Sequence, residues 1–199
     1  MWLFYFADFT EKKEDIMERY AIIVADGLEE VEALTVVDLL RRASIEIDMV
    51  SIMSDINING AHGINFKADK MLKEVALNSY AGIILPGGMG GVNNIKKCTA
   101  VIEALKEDKA SNRLVAAICA GPTVLGVNNM LESVKATCYP GLEGELLGAK
   151  VSEGKVVADK NIITSKGPGT AMEFAIELVR YIKGEEVAAS LTAGLIYNV

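Results

Sequence analysis

Histidine, paired cysteine, positive charge and long apolar runs are all scarce in this chain, and each shortage closes off a class of function. His62 is the single histidine, and the three cysteines, Cys98, Cys119 and Cys138, form no CxxC pair. No group of His, Cys and Asp has metal-ligand spacing, so no metal is expected. A sparse, odd set of cysteines fits a reducing, cytoplasmic setting better than a disulfide-built secreted fold. Lys and Arg number 20 against 27 Asp and Glu, a net charge of −7. That balance argues against a nucleic-acid or anionic-membrane surface, which needs clustered cations. No apolar run approaches the roughly 18 residues of a membrane span. The glycine run Gly87-Gly-Met-Gly-Gly91 fails GxGxxG because position 93 is Asn, and no GxxxxGK[ST] occurs, so no nucleotide cofactor is expected.

The first residues, Met1-Trp-Leu-Phe-Tyr-Phe6, are apolar but lack a basic flank and a small-residue cleavage site, and they run into Glu11-Lys-Lys-Glu-Asp15. A signal peptide is not expected. Residues 1–18 read as an N-terminal extension, either a packing arm or the product of an upstream start with Met17 as the usual one, the second being preferred. Residues 19–199 show no repeat, low-complexity tract or linker and read as one domain.

What is present is an alternation of buried strands and amphipathic helices. Continuous apolar runs at Tyr20–Ala25 and Tyr80–Leu85 suit strands covered on both faces. A helix is expected over Leu28–Ala43, with Glu29, Glu30 and Glu32 at its start and Arg41-Arg42 at its end, a polarity that suits the helix dipole. Further expectations are a strand at Glu46–Ser54, a hairpin over Ile56–Phe66 with His62 in its solvated turn, and one helix over residues 93–109. Beyond the central cysteine follow a helix to about Met130, short strands at Lys135–Cys138, Lys155–Ala158 and Asn161–Thr164, an irregular stretch or one short helix over Tyr139–Gly148, a helix to about Lys183 and a last one over Glu185–Leu195. This order predicts an α/β, flavodoxin-like three-layer sandwich with a mostly parallel central sheet, whose ligands bind beyond the carboxyl ends of the strands.

One such end stands out. The apolar run before Cys119 is cut at once by Ala120-Gly-Pro122, after which a helical pattern resumes. On residue type alone a cysteine there is a small hydrophobe ending a core strand. The sharp corner instead suggests a nucleophile, whose thiolate the following amides and helix start would favour. Cys98 and Cys138 lack this context and read as structural. A Cys-His dyad has little support, and a carboxylate from the 29–32 acids is the better candidate partner. An ionised glutamate beside sulfur repels the thiolate, whereas a protonated one donates to it, so a partner of Cys119 is expected to be largely protonated while the thiolate exists. The amides of Gly88 and Ala120 are candidate oxyanion donors.

Four segments, Asp26-Gly-Leu-Glu-Glu-Val-Glu32, Leu85-Pro-Gly-Gly88, Ala116-Ala-Ile-Cys-Ala-Gly-Pro122 and Thr164-Ser-Lys-Gly-Pro-Gly-Thr170, resemble in order and spacing the motifs of the ThiJ/PfpI superfamily. Within it the chain is most similar to the clade of the YajL/ThiJ proteins and the Parkinson-disease protein deglycase. The resemblance covers roughly residues 20–198. It implies a homodimer, Cys119 as the oxidation-prone nucleophile, Glu32 as the glutamate bonded to it, and Gly88 and Ala120 as the oxyanion amides. It implies glyoxalase III or deglycase chemistry on small 2-oxoaldehydes or glycated groups, with no cofactor. The alternative is a redox-sensing stress protein or chaperone whose cysteine is oxidised, with incidental turnover. Tyr139 stands where some relatives carry a histidine, which disfavours a cysteine peptidase and leaves Tyr139 as a possible hydrogen-bond donor. The Ser165-Lys166 pair varies in the family, so Lys166 receives no role.

Overall fold

The computed structural model describes residues 18–197; the expectation for the N-terminal extension lies almost entirely outside them. In chain order the elements are β1 (Arg19–Val24), α1 (Glu30–Arg42), β2 (Glu46–Ser51), β3 (Asn57–Asn59), β4 (Asn65–Lys67), β5 (Lys70–Met71), β6 (Gly82–Leu85), α2 (Met89–Lys97), α3 (Thr99–Ala110), β7 (Leu114–Ile118), α4 (Pro122–Val127), β8 (Lys135–Ala136), β9 (Lys150–Val151), β10 (Val156–Asp159), β11 (Ile162–Ser165), α5 (Ala171–Lys183) and α6 (Glu185–Gly194). Short 3₁₀ turns join several of them.

Seven strands form one sheet in the order β10-β11-β7-β6-β1-β2-β5. All neighbours are parallel except β10 and β11. This is the expected mostly parallel α/β sandwich. The strands read as apolar runs because both faces are covered. Along β1, Ile22 and Val24 enter the core under α1 and α5, while Ala21 and Ile23 enter the one under α2, α3 and α4. Phe174 of α5 is fully buried in the first core; truncating a ring so enclosed typically costs about 3–5 kcal/mol. Strand order reverses between β1 and β6, so the loops after these strands flank a crevice at the carboxyl edge, the usual ligand position of such sheets.

Several boundaries differ from expectation for local reasons. The first helix starts at Glu30, since Gly27 holds φ +80° and Glu29 is extended. Strand β2 stops at Ser51, whose hydroxyl donates to the Asp55 carbonyl and accepts from the Met53 amide, closing a turn. The single helix expected over 93–109 is two helices, because Cys98 is extended at their junction and its carbonyl accepts from the Val101 and Ile102 amides. The first of the two begins inside the glycine run, at Met89. The helix after Cys119 covers six residues and ends at Val127, well short of Met130. The expected hairpin forms as β3 and β4, apart from the main sheet. No described helix is long and apolar enough to cross a membrane.

Candidate active site

Cys119 sits at the turn between β7 and α4. It is the residue after the last one of the strand, and its φ is +63°. That left-handed conformation is rare for a residue with a Cβ and costs on the order of 1–3 kcal/mol, which the surroundings must overcome. They do so by fixing both sides of the residue. The Cys119 amide donates to the Ser165 carbonyl at 2.9 Å, and the Cys119 carbonyl accepts from the Tyr139 amide at 2.9 Å. Gly121 closes the corner by donating to Ile118, and Thr123 ties back to the Ala120 carbonyl through both its amide and its hydroxyl. The side chain is thereby turned out of the sheet, half-buried, with its sulfur against the loop that follows β6.

Glu32 reaches the same point from the first turn of α1. Its Oε2 accepts from the Gly87 amide at 2.7 Å, and its carboxyl faces the Cys119 side chain across Gly87. The three parts touch closely: a Cβ on Gly87 would lie 2.5 Å from both Glu32 Oε2 and the Cys119 Cβ. Gly88 adopts φ +83°, and a Cβ there would lie 2.4 Å from the Glu29 amide nitrogen. Only glycine lets the β6 loop lie against the β1 loop in this way. The amides of Gly88 and Ala120 lie close enough to the Cys119 sulfur to lower its pKa. All four residues singled out in the sequence therefore converge.

The electrostatics of the pair are set by burial. Glu32 is fully enclosed, and loss of water raises its carboxyl to about 7; the bonds from Cys119 and Gly87 pull the other way, and the charge of Glu29 adds to the rise. Its Oε1 is buried with no hydrogen-bond donor among the described residues, as suits a carboxyl that holds a proton. Burial also raises the Cys119 thiol, to about 12, helped by the Glu32 charge, while the Ala120 and Gly88 amides lower it. This corrects the expectation that the corner alone favours thiolate. The six residues of α4 offer little dipole, and desolvation with a facing carboxylate prevails. Protonating Glu32 removes the repulsion, so the two groups titrate as one unit.

Tyr139 is half-exposed, and its ring lies beside Gly167, where a Cβ would come within 3.3 Å of Cδ2. Cys138 is buried and donates to the Tyr139 carbonyl, and burial raises its thiol to about 11; Cys98 packs at the edge of the second core. Lys166 pairs with Glu153. The turn histidine is indeed exposed, but it is not free. His62 Nδ1 lies 3.0 Å from Glu30 Oε2 and 3.4 Å from Glu29 Oε2. These three residues bring ligand atoms within 4.8 Å of one another, a cluster no linear spacing announced. Glu30 already accepts from the His62 and Ile64 amides as well as facing the ring, so the group is satisfied as an ion pair. A separate groove along α5 and α6, lined by Glu173, Glu177, Arg180 and Tyr197 among others, includes no cysteine or histidine and so offers no rival to the Cys119 thiol.

Comparison with known proteins shows the family. Residues 18–181 match the DJ-1/PfpI family. The chain is 36% identical over 183 residues to the Parkinson disease protein 7 homolog of Danio rerio, covering 90% of this chain and 97% of that protein. It is 33% identical over 172 residues to the glutathione-independent glyoxalase DJR-1.2 of Caenorhabditis elegans, covering 85% and 91%. It matches Protein DJ-1 homolog B of Arabidopsis thaliana at 35% over 181 residues, 90% of this chain, while spanning only 41% of that protein's length. Among solved structures, oxidized Toxoplasma gondii DJ-1 superposes with a TM-score of 0.88 at 34% identity, covering 92% of this chain and all of that one. By sequence, fold and the four convergent motifs, this chain belongs to the DJ-1/PfpI family.

Proposed function

We propose that the protein is a cysteine-dependent, glutathione-independent glyoxalase or deglycase acting on 2-oxoaldehydes such as methylglyoxal, or on their adducts. The observation that carries this reading is a fully buried carboxyl, Glu32, held by the Gly87 amide at 2.7 Å against the side chain of a cysteine at a strained strand-to-helix corner. Supporting it, a relative covering most of both chains is named a glutathione-independent glyoxalase.

In this reading the Glu32 carboxylate takes the thiol proton, and the Cys119 thiolate that results, facing a now protonated Glu32, adds to the aldehyde carbon. The C–S bond forms as the carbonyl π pair moves to oxygen, and the amides of Gly88 and Ala120 stabilise the alkoxide. Glu32 protonates that oxygen to give a hemithioacetal, then as carboxylate removes the proton from C1 and delivers it to C2, while the hydroxyl proton on the C1 oxygen passes to the C2 oxygen. The resulting thioester of a 2-hydroxy acid is cleaved by water, releasing lactate from methylglyoxal and restoring the thiol. A carboxyl near 7 is poised for both directions of proton transfer at neutral pH. Tyr139, whose amide donates to the Cys119 carbonyl, is assigned as an auxiliary hydrogen-bond donor to the substrate. No histidine takes part, since His62 is engaged with Glu29 and Glu30, and a peptidase mechanism is accordingly disfavoured.

The test is methylglyoxal turnover by Cys119→Ala, which should fall by at least about 10³-fold. Lactate formation that survives intact would sink the reading. A second reading, a redox sensor, draws on the structural neighbour whose DJ-1 is described as oxidized. Peroxide that adds two oxygens selectively at Cys119 in a protein with negligible turnover would favour it.

A further inference from the structure

The hairpin of β3 and β4 lies outside the main sheet, yet its tip is built around a single carboxylate. Glu30, only 2% exposed, accepts from the His62 amide at 2.7 Å and the Ile64 amide at 3.3 Å through Oε1, and meets His62 Nδ1 at 3.0 Å through Oε2. Gly60 is part of the same seat: a Cβ there would lie 2.1 Å from Glu30 Oε1. The rest of the hairpin grips the loop after β1. Gly27 donates to Asn59 at 2.8 Å, Ala61 donates to Leu28 at 2.9 Å, and the Asn59 amide reaches Asp26 Oδ1 at 2.8 Å.

The opposite side of that loop carries the site. The Glu29 amide donates to the Gly87 carbonyl at 3.1 Å, while Gly88 lies against Gly27, Leu28 and Glu29. Glu32 follows Glu30 by two residues in the same helical turn. The loop and helix start are thus held between the hairpin tip and the Gly87-Gly88 turn, and the carboxylate at their centre is used by neither the thiol nor any step proposed above.

We propose that Glu30 and His62 form a clasp that pins the hairpin tip to the start of α1 and thereby positions the Glu32 carboxyl and the Gly88 amide at Cys119. Both are positioning residues that act through the loop, and the proposal rests on the reading of Glu32 and Gly88 as the working partners of Cys119. The clasp is strongest while His62 is protonated. The groups facing that ring are Glu30 and Glu29 of the α1 start, with no charged group of the hairpin itself beside it, and both raise its pKa. The clasp therefore loosens as pH rises through the value of the paired imidazole. A permanently charged lysine at the same position keeps it closed.

The experiment compares wild type, His62→Ala, His62→Lys and Glu30→Gln by two readouts: methylglyoxal kinetics across pH 6–9, and the rate of Cys119 alkylation by iodoacetamide. His62→Ala and Glu30→Gln should lower kcat by about tenfold with KM little changed, since misplaced groups cost rate rather than binding. They should also slow alkylation about threefold, because an amide that stabilises the thiolate is no longer held. His62→Lys should recover most of both, and its kcat relative to wild type should grow as pH rises. Wild-type kcat and alkylation that are matched by His62→Ala and Glu30→Gln overturn the clasp. So does a His62→Lys variant as slow as His62→Ala. If wild type fails to turn over methylglyoxal but alkylation follows the pattern, the clasp stands and the glyoxalase reading falls.

Discussion

Glu30 and Glu32 occupy one turn of one helix, both are buried, and they hold their protons in opposite ways. Glu30 loses water as Glu32 does, but the amides of His62 and Ile64, its own backbone and the imidazole outweigh that loss and bring its carboxyl down to about 2. Glu32 has one amide, from Gly87, a thiol that offers little, and an oxygen with no donor, and it rises to about 7. The difference shows that burial alone does not set protonation. The number of donors aimed at the charged form does. One acid is fixed as a structural anion; its neighbour is left poised.

Replacing the poised acid has the largest expected effect. Glu32→Gln keeps the Gly87 bond but cannot move a proton, so methylglyoxal turnover should fall by about 10²–10⁴-fold. Full activity in this variant would erase the distinction between the two carboxyls. Glu30→Gln, besides the roughly tenfold loss of kcat expected from the clasp, should cost stability by about 1–3 kcal/mol at neutral pH, since His62 and two turn amides lose their anion. Urea midpoints would read it.

The pH dependence of stability should separate the pair further, with opposite signs. Glu30 is depressed in the folded state. Its contribution is present above the ordinary carboxylate value of 4.5 and is lost as pH falls from there toward about 2. Glu32 is raised. Its protonated form favours the folded state below 4.5, and that advantage drains away as pH rises through about 7. Denaturant titrations should therefore show a flatter acid limb in Glu30→Gln and a flatter limb from weakly acidic to neutral pH in Glu32→Gln. Identical profiles for the two variants would contradict the assignment. The smallest effect belongs to Glu29→Gln. Its charge adds to the elevation of Glu32, so removing it should move the Glu32 titration, followed by carbon NMR of the carboxyl, to lower pH.

Much of this architecture follows from local pattern. Continuous apolar runs announced the strands covered on both faces, and the abrupt Ala120-Gly-Pro122 break announced the elbow. The four family motifs place Glu32, Gly88, Cys119 and Ala120 at one sheet edge. Local pattern failed where the cause was a contact distant in the chain or a single backbone angle. Nothing in the composition of residues 93–109 marks the extended Cys98 that splits that helix. No spacing relates His62 to Glu30, whose neighbourhood depends on how a hairpin outside the sheet folds over a loop 32 residues away. Three glutamates in a row of four look alike as letters, all suited to a helix N-terminus. By itself, then, the chain determined its strands and its layer order, because these rest on periodicity and turn chemistry, and its family motifs marked the thiol, carboxyl and glycine loop that meet. Only the tertiary structure decided which acid is ionised, which keeps its proton and whether the thiol is free to ionise, because solvent exclusion and the count of hydrogen-bond donors arise only when distant segments pack.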